Sequence, residues 1–204
     1  MIYLFGKNQE DSNLNQNSRQ TFKTETGSPE KTKKKTKKTK PSDSNEAITN
    51  SYDKSIVKEL DKAQSILDKS NIADALQKFE ALTKKYPKSP RAMYGKAQSL
   101  DKWSELRQSN DILQQSIEAY GKTADMLNCP MELKHRAVRR QADRLSFLGR
   151  SSQAANALRS LLNEFPGDIK VMNELGVQYL MTGKNRDAEN IYKQVSLGVS
   201  SVFG

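Results

Sequence analysis

One cysteine and one histidine stand in 204 residues, and these two scarcities remove most metal and nucleophile chemistry. Cys129 alone closes no disulfide within the chain and builds no multi-cysteine zinc cage. It precedes Pro130 at a helix junction, without the cationic setting that lowers a thiol pKa, and reads as filler. His135 alone cannot hold a catalytic iron with open positions, and any Ser-His-Asp arrangement would depend on it. Its place on the polar side of a helical pattern reads as a solvated residue. Glycine-rich phosphate loops are missing. Trp103 and the few Tyr and Phe residues recur at helical spacing, where they pack a core rather than a cofactor. No apolar run approaches the roughly 20 residues of a membrane span, and Ile2 to Gly6 is too short for a secretory core segment. Catalysis is therefore not expected of this chain, and no catalytic, cofactor-binding or metal-ligating residue is assigned.

Apolar residues are also scarce in residues 1–50, which are rich in Lys, Thr, Ser, Asn and Gln. Such a stretch cannot bury enough surface to offset the entropy of ordering, so a disordered tail is expected there. Of the net charge of +10, ten basic against six acidic residues give the tail +4, and residues 51–204 carry the other +6. Lys31, Lys33, Lys34, Lys35, Lys37, Lys38 and Lys40 form a block able to contact anionic surfaces. No aromatic residues interleave for base stacking, so no nucleic-acid motif is present and a solvated linker is the plainer reading.

What the chain does have begins near Tyr52. Ile56, Leu60, Ala63, Ile66 and Leu67 recur on one helical face, and a second helix carries Ile72, Ala75, Leu76, Phe79 and Leu82 before Pro87. Ser89 and Pro90 form a start signal for the next helix, and Gly149 a stop for a later one. Near the end, Leu175, Gly176, Tyr179, Ala188, Tyr192 and Val195 fall at the spacing of a tetratricopeptide hairpin. A shift back of 34 residues, the period of that repeat, lands on Ala142, Leu145, Ala154, Leu158 and Leu161, with Pro166 closing the pair. Phe79 and Tyr120 are 41 residues apart, so one hairpin holds an insertion of about two turns. The expected fold is all-α: a solenoid of about four tetratricopeptide-like hairpins, eight helices and no strands, over 51–195. Residues 196–204 match neither a proline stop nor a further helix and read as an irregular tail. Without a polar capping helix, Val177, Leu180, Ile191 and Val195 should stay partly exposed, and the chain should be a truncated or alternatively ended version of something longer.

Several stretches exceed what packing demands: Tyr86 to Gln98, Arg107 to Asn110, Arg139 to Arg144, Phe147 to Gly149, and Asn173 to Leu180. Together they resemble the tetratricopeptide region of the aspartyl/asparaginyl β-hydroxylase family, from about Tyr52 to Val195, and the lysine-rich stretch before it is similar too. The resemblance implies membrane proteins of the endoplasmic reticulum, in which such repeats adjoin an oxygenase domain using Fe(II) and 2-oxoglutarate. It also implies epidermal-growth-factor-like (EGF-like) domains as the polypeptides hydroxylated. This sequence shows neither a transmembrane helix before the lysines nor the histidine pair of the family's iron site, so that chemistry is expected outside it.

In stacked hairpins the first helix of each pair builds the concave face. Projection of the repeat places Arg91, Tyr94, Gln98, Arg136, Arg139, Asp143, Lys170, Asn173 and Val177 there. Three arginines and one lysine in nine positions suit an acidic polypeptide, acting on orientation and encounter rate more than on raw affinity. The expected function is a noncatalytic protein-interaction segment that helps present substrate to an oxygenase. Two alternatives stand beside it: a fragment or short isoform recorded under the dioxygenase activity, and an independent adaptor whose basic tail binds polyanions.

Overall fold

The computed structural model describes residues 45–202, and side chains as far as residue 198. The lysine block and the rest of residues 1–44 lie outside the described residues. Among the described residues, nine helices follow in order from Ser51: α1 Ser51–Lys54, α2 Val57–Asp68, α3 Ile72–Lys85, α4 Pro90–Arg107, α5 Asn110–Asp125, α6 Met131–Phe147, α7 Ser151–Glu164, α8 Ile169–Met181 and α9 Asn185–Val202. The described residues contain no strand. The pairs α2/α3, α4/α5, α6/α7 and α8/α9 are the four expected hairpins, and the short α1 precedes them.

Local chemistry sets the boundaries. Ser89 accepts a hydrogen bond from the Ala92 N–H at 3.0 Å while Pro90 supplies the first helical residue, a start in which proline's missing donor costs nothing. Ser109 caps α5 the same way through the Ile112 N–H. Helix α6 stops where Gly149 takes φ of 73°, a conformation a Cβ disfavours.

Each helix packs mainly on its neighbours in sequence, with α2 also touching α4 and α4 touching α6. This is the quasi-one-dimensional packing of stacked repeats. Ile56, Leu60, Ala63, Leu67, Ala75, Phe79, Leu82 and Ala92 form the core of the first pair. A second core runs from Ala97 and Leu100 through Tyr120, Val138, Leu158 and Leu175 to Ala188. Burying each of the large side chains contributes about 1.5–3 kcal/mol. Gly95 is where the backbone of α4 approaches Phe79 of α3, and Gly176 is where α8 approaches Tyr192 of α9. These are the small-residue contacts the repeat spacing implies.

Three expectations change. Residues 45–50 are hydrogen-bonded to the repeats instead of belonging to the tail. Asn50 caps α1 and donates to the Asn128 carbonyl at 2.9 Å, and Thr49 accepts from Arg91 at 3.0 Å. Composition misses this because the anchoring uses polar side chains. Residues 196–202 continue α9 instead of forming an irregular tail. Ser196 folds its hydroxyl onto the Tyr192 carbonyl at 3.0 Å, and Ser, Gly and Val lower helix propensity by at most about 1 kcal/mol each without a proline to stop it. His135, finally, is not a solvated residue, as its contacts below show. Val177 and Leu180 are 47% and 51% exposed, while Ile191 and Val195 are half-buried.

Candidate partner-binding groove

Helices α4, α6 and α8 supply the walls of a continuous depression. Its larger part, about 610 Å³, is lined by Tyr94 of α4, Arg136, Arg139, Arg140 and Asp143 of α6, and Glu174, Val177 and Gln178 of α8, with Leu158 in its floor. A smaller part of about 200 Å³ continues past Tyr94 and Arg136 to Gln98, Arg91, Leu60 and Phe79, where Asn45 and Ile48 from the N-terminal segment close it. Lys170 lies with Arg136 and Arg139 around a third depression at the α6 to α8 corner. Eight of the nine sequence-derived positions therefore line connected hollows. Asn173 is exposed and lines none of these three.

The charges are less free than the sequence suggests. Arg91 is only 7% exposed, and its guanidinium lies 2.6 Å from Asp61 of α2. It anchors the first pair rather than facing a partner. Arg139 holds Glu174 of α8 through Nε at 3.0 and 3.1 Å and through a further contact from Nη2. That forked, charge-assisted geometry fixes α6 against α8. Arg144 is likewise committed, to Asp101 at 3.5 Å, Glu105 at 3.0 Å and Asp143 at 2.8 Å. Arg136 uses Nε on Glu132 at 2.8 Å, and the nearest carboxylate oxygen to Arg140 is that of Asp143 at 3.6 Å.

Between the arginines sits Tyr94, edge-on to Tyr120 with ring centroids 5.6 Å apart. Burial pushes its hydroxyl above the usual phenol range, against the opposing pull of Arg140 and Arg136. Beneath it Tyr120 donates to Asp101 at 3.2 Å, so α5 and α4 share a buried polar link. Burial pushes the Asp101 carboxyl up despite Arg144 and Arg140.

His135 sits beside the groove, its Nε2 2.8 Å from Asp168 Oδ2 and its ring edge-on to Phe165. Asp168 Oδ1 accepts from the N–H groups of Lys170 and Val171 at 2.9 and 3.0 Å, capping α8. Burial alone would raise the Asp168 carboxyl, but the Val171 N–H and the His135 contact outweigh it and hold the group below its usual value. The imidazole is thus part of a helix cap. Sequence reading missed it because the partner lies 33 residues away. Gln178, also missed, is 7% exposed with no hydrogen-bond partner on Oε1. Its mixed neighbours in sequence carry no signal of that position.

Burial pushes the half-buried Cys129 thiol up to about 11, away from the low values of reactive cysteines. Among the described residues no three His, Cys, Asp or Glu side chains cluster to hold a metal ion. None of the described helices is long and apolar enough to cross a membrane.

Antiparallel helix pairs stacked in register around a lined groove define a tetratricopeptide solenoid, and residues 60–102 match the tetratricopeptide repeat family model. The fold is shared with the solved structure of MamA 41-end from Desulfovibrio magneticus RS-1, at TM-score 0.56 and 13% identity, over 74% of this chain and 77% of that one. Sequence similarity is far closer to aspartyl/asparaginyl beta-hydroxylase of Homo sapiens, 39% identical over 170 residues, and of Mus musculus, 39% identical over 148 residues. Those alignments cover 83% and 72% of this chain but only 22% and 20% of the relatives, so the chain spans about a fifth of their length. It is a tetratricopeptide-repeat segment related to the aspartyl/asparaginyl beta-hydroxylases.

Proposed function

We propose that this chain is a noncatalytic polypeptide-binding segment that helps present substrate, of the EGF-like class, to an oxygenase domain of the hydroxylase kind outside these 204 residues. The observation that carries this reading is the groove: an open hollow of about 610 Å³ held between three helices by inter-helix ion pairs. Such a preformed surface binds without the cost of ordering itself. Fe(II) and 2-oxoglutarate belong to that other domain in this reading, because the residues here do not fit an iron site. The single imidazole is already paired with a helix-capping carboxylate, and a carboxylate set without a second histidine lacks the usual donors for such an iron. The relationship to the hydroxylases supports placement in the endoplasmic reticulum as part of the same proposal.

The test is calorimetric titration of the chain with a calcium-loaded EGF-like domain, alongside a turnover assay with Fe(II) and 2-oxoglutarate. Saturable binding without turnover is expected. Turnover by this chain, or no binding at millimolar concentration, overturns the reading.

A further inference from the structure

We propose that the open half of the groove contains a carboxylate subsite: an acidic side chain of an extended polypeptide sits against Arg136 and Arg140, while a peptide N–H of the same segment bonds Oε1 of Gln178 as that side chain turns toward the hollow. This rests on the groove being a polypeptide site and adds what that site selects.

The valence of the arginines points there. Guanidinium groups carry five N–H donors, and Arg91, Arg139 and Arg144 each engage a carboxylate within the fold through a terminal nitrogen. Arg136 spends only Nε, leaving its terminal nitrogens without a hydrogen bond among the described residues. Arg140, more than half exposed, has its closest carboxylate oxygen at 3.6 Å, outside hydrogen-bond range. One turn apart on α6, the two residues line the same hollow and present their unused donors to a single ligand group. On the facing helix, Gln178 keeps its amide oxygen more than nine-tenths buried and unpartnered. Buried acceptors are almost always paired, so a missing donor is expected at this wall.

An extended peptide offers both chemistries at once, since its side chains and N–H groups alternate along the strand. A polyanion does not fit as well. Asp143 and Glu174 line the same hollow and would repel a run of phosphates, whereas one carboxylate can be seated between the arginines. Asn45 and Ile48 close the hollow beyond Tyr94, which confines the segment to the α6 and α8 side.

The test is an NMR titration of the full chain with a short Ser/Ala peptide carrying one central aspartate, and with its asparagine counterpart. The aspartate peptide should bind about tenfold more tightly, the difference between a charge-assisted and a neutral hydrogen-bond pair. Arg136→Gln with Arg140→Gln should bring it down to the asparagine level. Gln178→Leu should weaken both peptides by a similar factor and leave their ratio intact. Arg150→Gln, on a side chain bonded to Gln114 away from the groove, should change neither, and circular dichroism checks that each variant keeps its helices. Equal binding of the two peptides to the native chain, or a preference that survives loss of both arginines, overturns the subsite while EGF-like-domain binding keeps the wider reading standing. Loss of binding to both peptides and to the EGF-like domain overturns the two together.

Discussion

Gly95→Ala should destabilise the chain although alanine is the better helix former. An added Cβ at Gly95 would lie 2.1, 2.3 and 2.5 Å from three atoms of the Phe79 ring. To regain an ordinary 3.4 Å contact from 2.1 Å, the ring must retreat by about 1.3 Å. Phe79 is fully buried among Leu60, Ala75, Leu82 and Ala92, so even a retreat toward the small hollow it borders gives up those contacts. Overpacking of this kind costs roughly 1–3 kcal/mol and sometimes more, while the gain in helix propensity returns about 1 kcal/mol. With the Cβ only 2.1 Å from the ring the upper end of that range applies, and the net loss of about 2 kcal/mol lowers Tm by about 4–8 °C in a domain of this size. Gly121→Ala is the internal comparison: its Cβ meets the tip of Gln141, with Nε2 at 2.5 Å and the next atom at 3.4 Å. That flexible amide can swing away, so Tm should hold or rise by up to about 3 °C. Thermal unfolding followed by circular dichroism measures both. Equal shifts for the two variants would refute the packing argument, as would a Gly95→Ala chain as stable as the native one. Adding Phe79→Leu to Gly95→Ala should cost less than the sum of the separate changes, because both act on one contact.

Asp101→Asn should narrow its stability gap to the native chain as pH rises from the ordinary carboxylate value of 3.8. A carboxyl raised by burial contributes most while protonated and loses that contribution as it ionises, so denaturant titrations at acid and neutral pH should show the native chain's relative advantage shrinking upward. Asp168→Ala removes the cap of α8 and the partner of His135, which should cost about 0.5–2 kcal/mol. Because the Asp168 carboxyl is held low, that stabilisation is present at neutral pH and fades as pH falls through its folded value, and hydrogen exchange of the Lys170 and Val171 amides should report it. The Cys129 thiol, raised to about 11, should react with iodoacetamide at pH 8 at least about tenfold more slowly than a free cysteine; a fast reaction there would place it in an exposed, cationic setting instead.

The helical plan was legible because packing writes a short-range code. Ala75 and Phe79 sit one turn apart, and Ala142, Leu145, Ala154 and Leu158 repeat the offsets of Gly176, Tyr179, Ala188 and Tyr192. Each occupies the contact its spacing implies. Caps at Ser89 and Gly149 were equally readable, being decided by neighbouring residues. The ends were harder. Residues 45–50 look like linker by composition, yet Asn45, Thr49 and Asn50 reach Asp61, Arg91 and Asn128, partners that no local window contains. The run from Ser196 lacks the repeat's markers, but a helix already under way needs only the absence of a strong stop.

Charge in the groove shows why residue types alone overstate a binding face. Counted along the sequence, Arg91, Arg136 and Arg139 are equivalent cations on first helices. In the fold the pairing is set by the superhelix: Arg139 meets Glu174 one repeat onward, 35 residues away, and Arg91 meets Asp61 one repeat back, 30 residues away. These two arginines hold the stack together, and reversing Arg139 to Glu would set like charges against Glu174 before any partner was consulted. Arg140 stayed out of the projected face because it falls one position beyond the template, yet it has the least committed guanidinium in the hollow. Substituting Arg136 and Arg140, and leaving Arg91 and Arg139 in place, therefore separates recognition from architecture: a loss of binding at unchanged Tm assigns these charges to the partner, and a parallel loss of both assigns them to the scaffold.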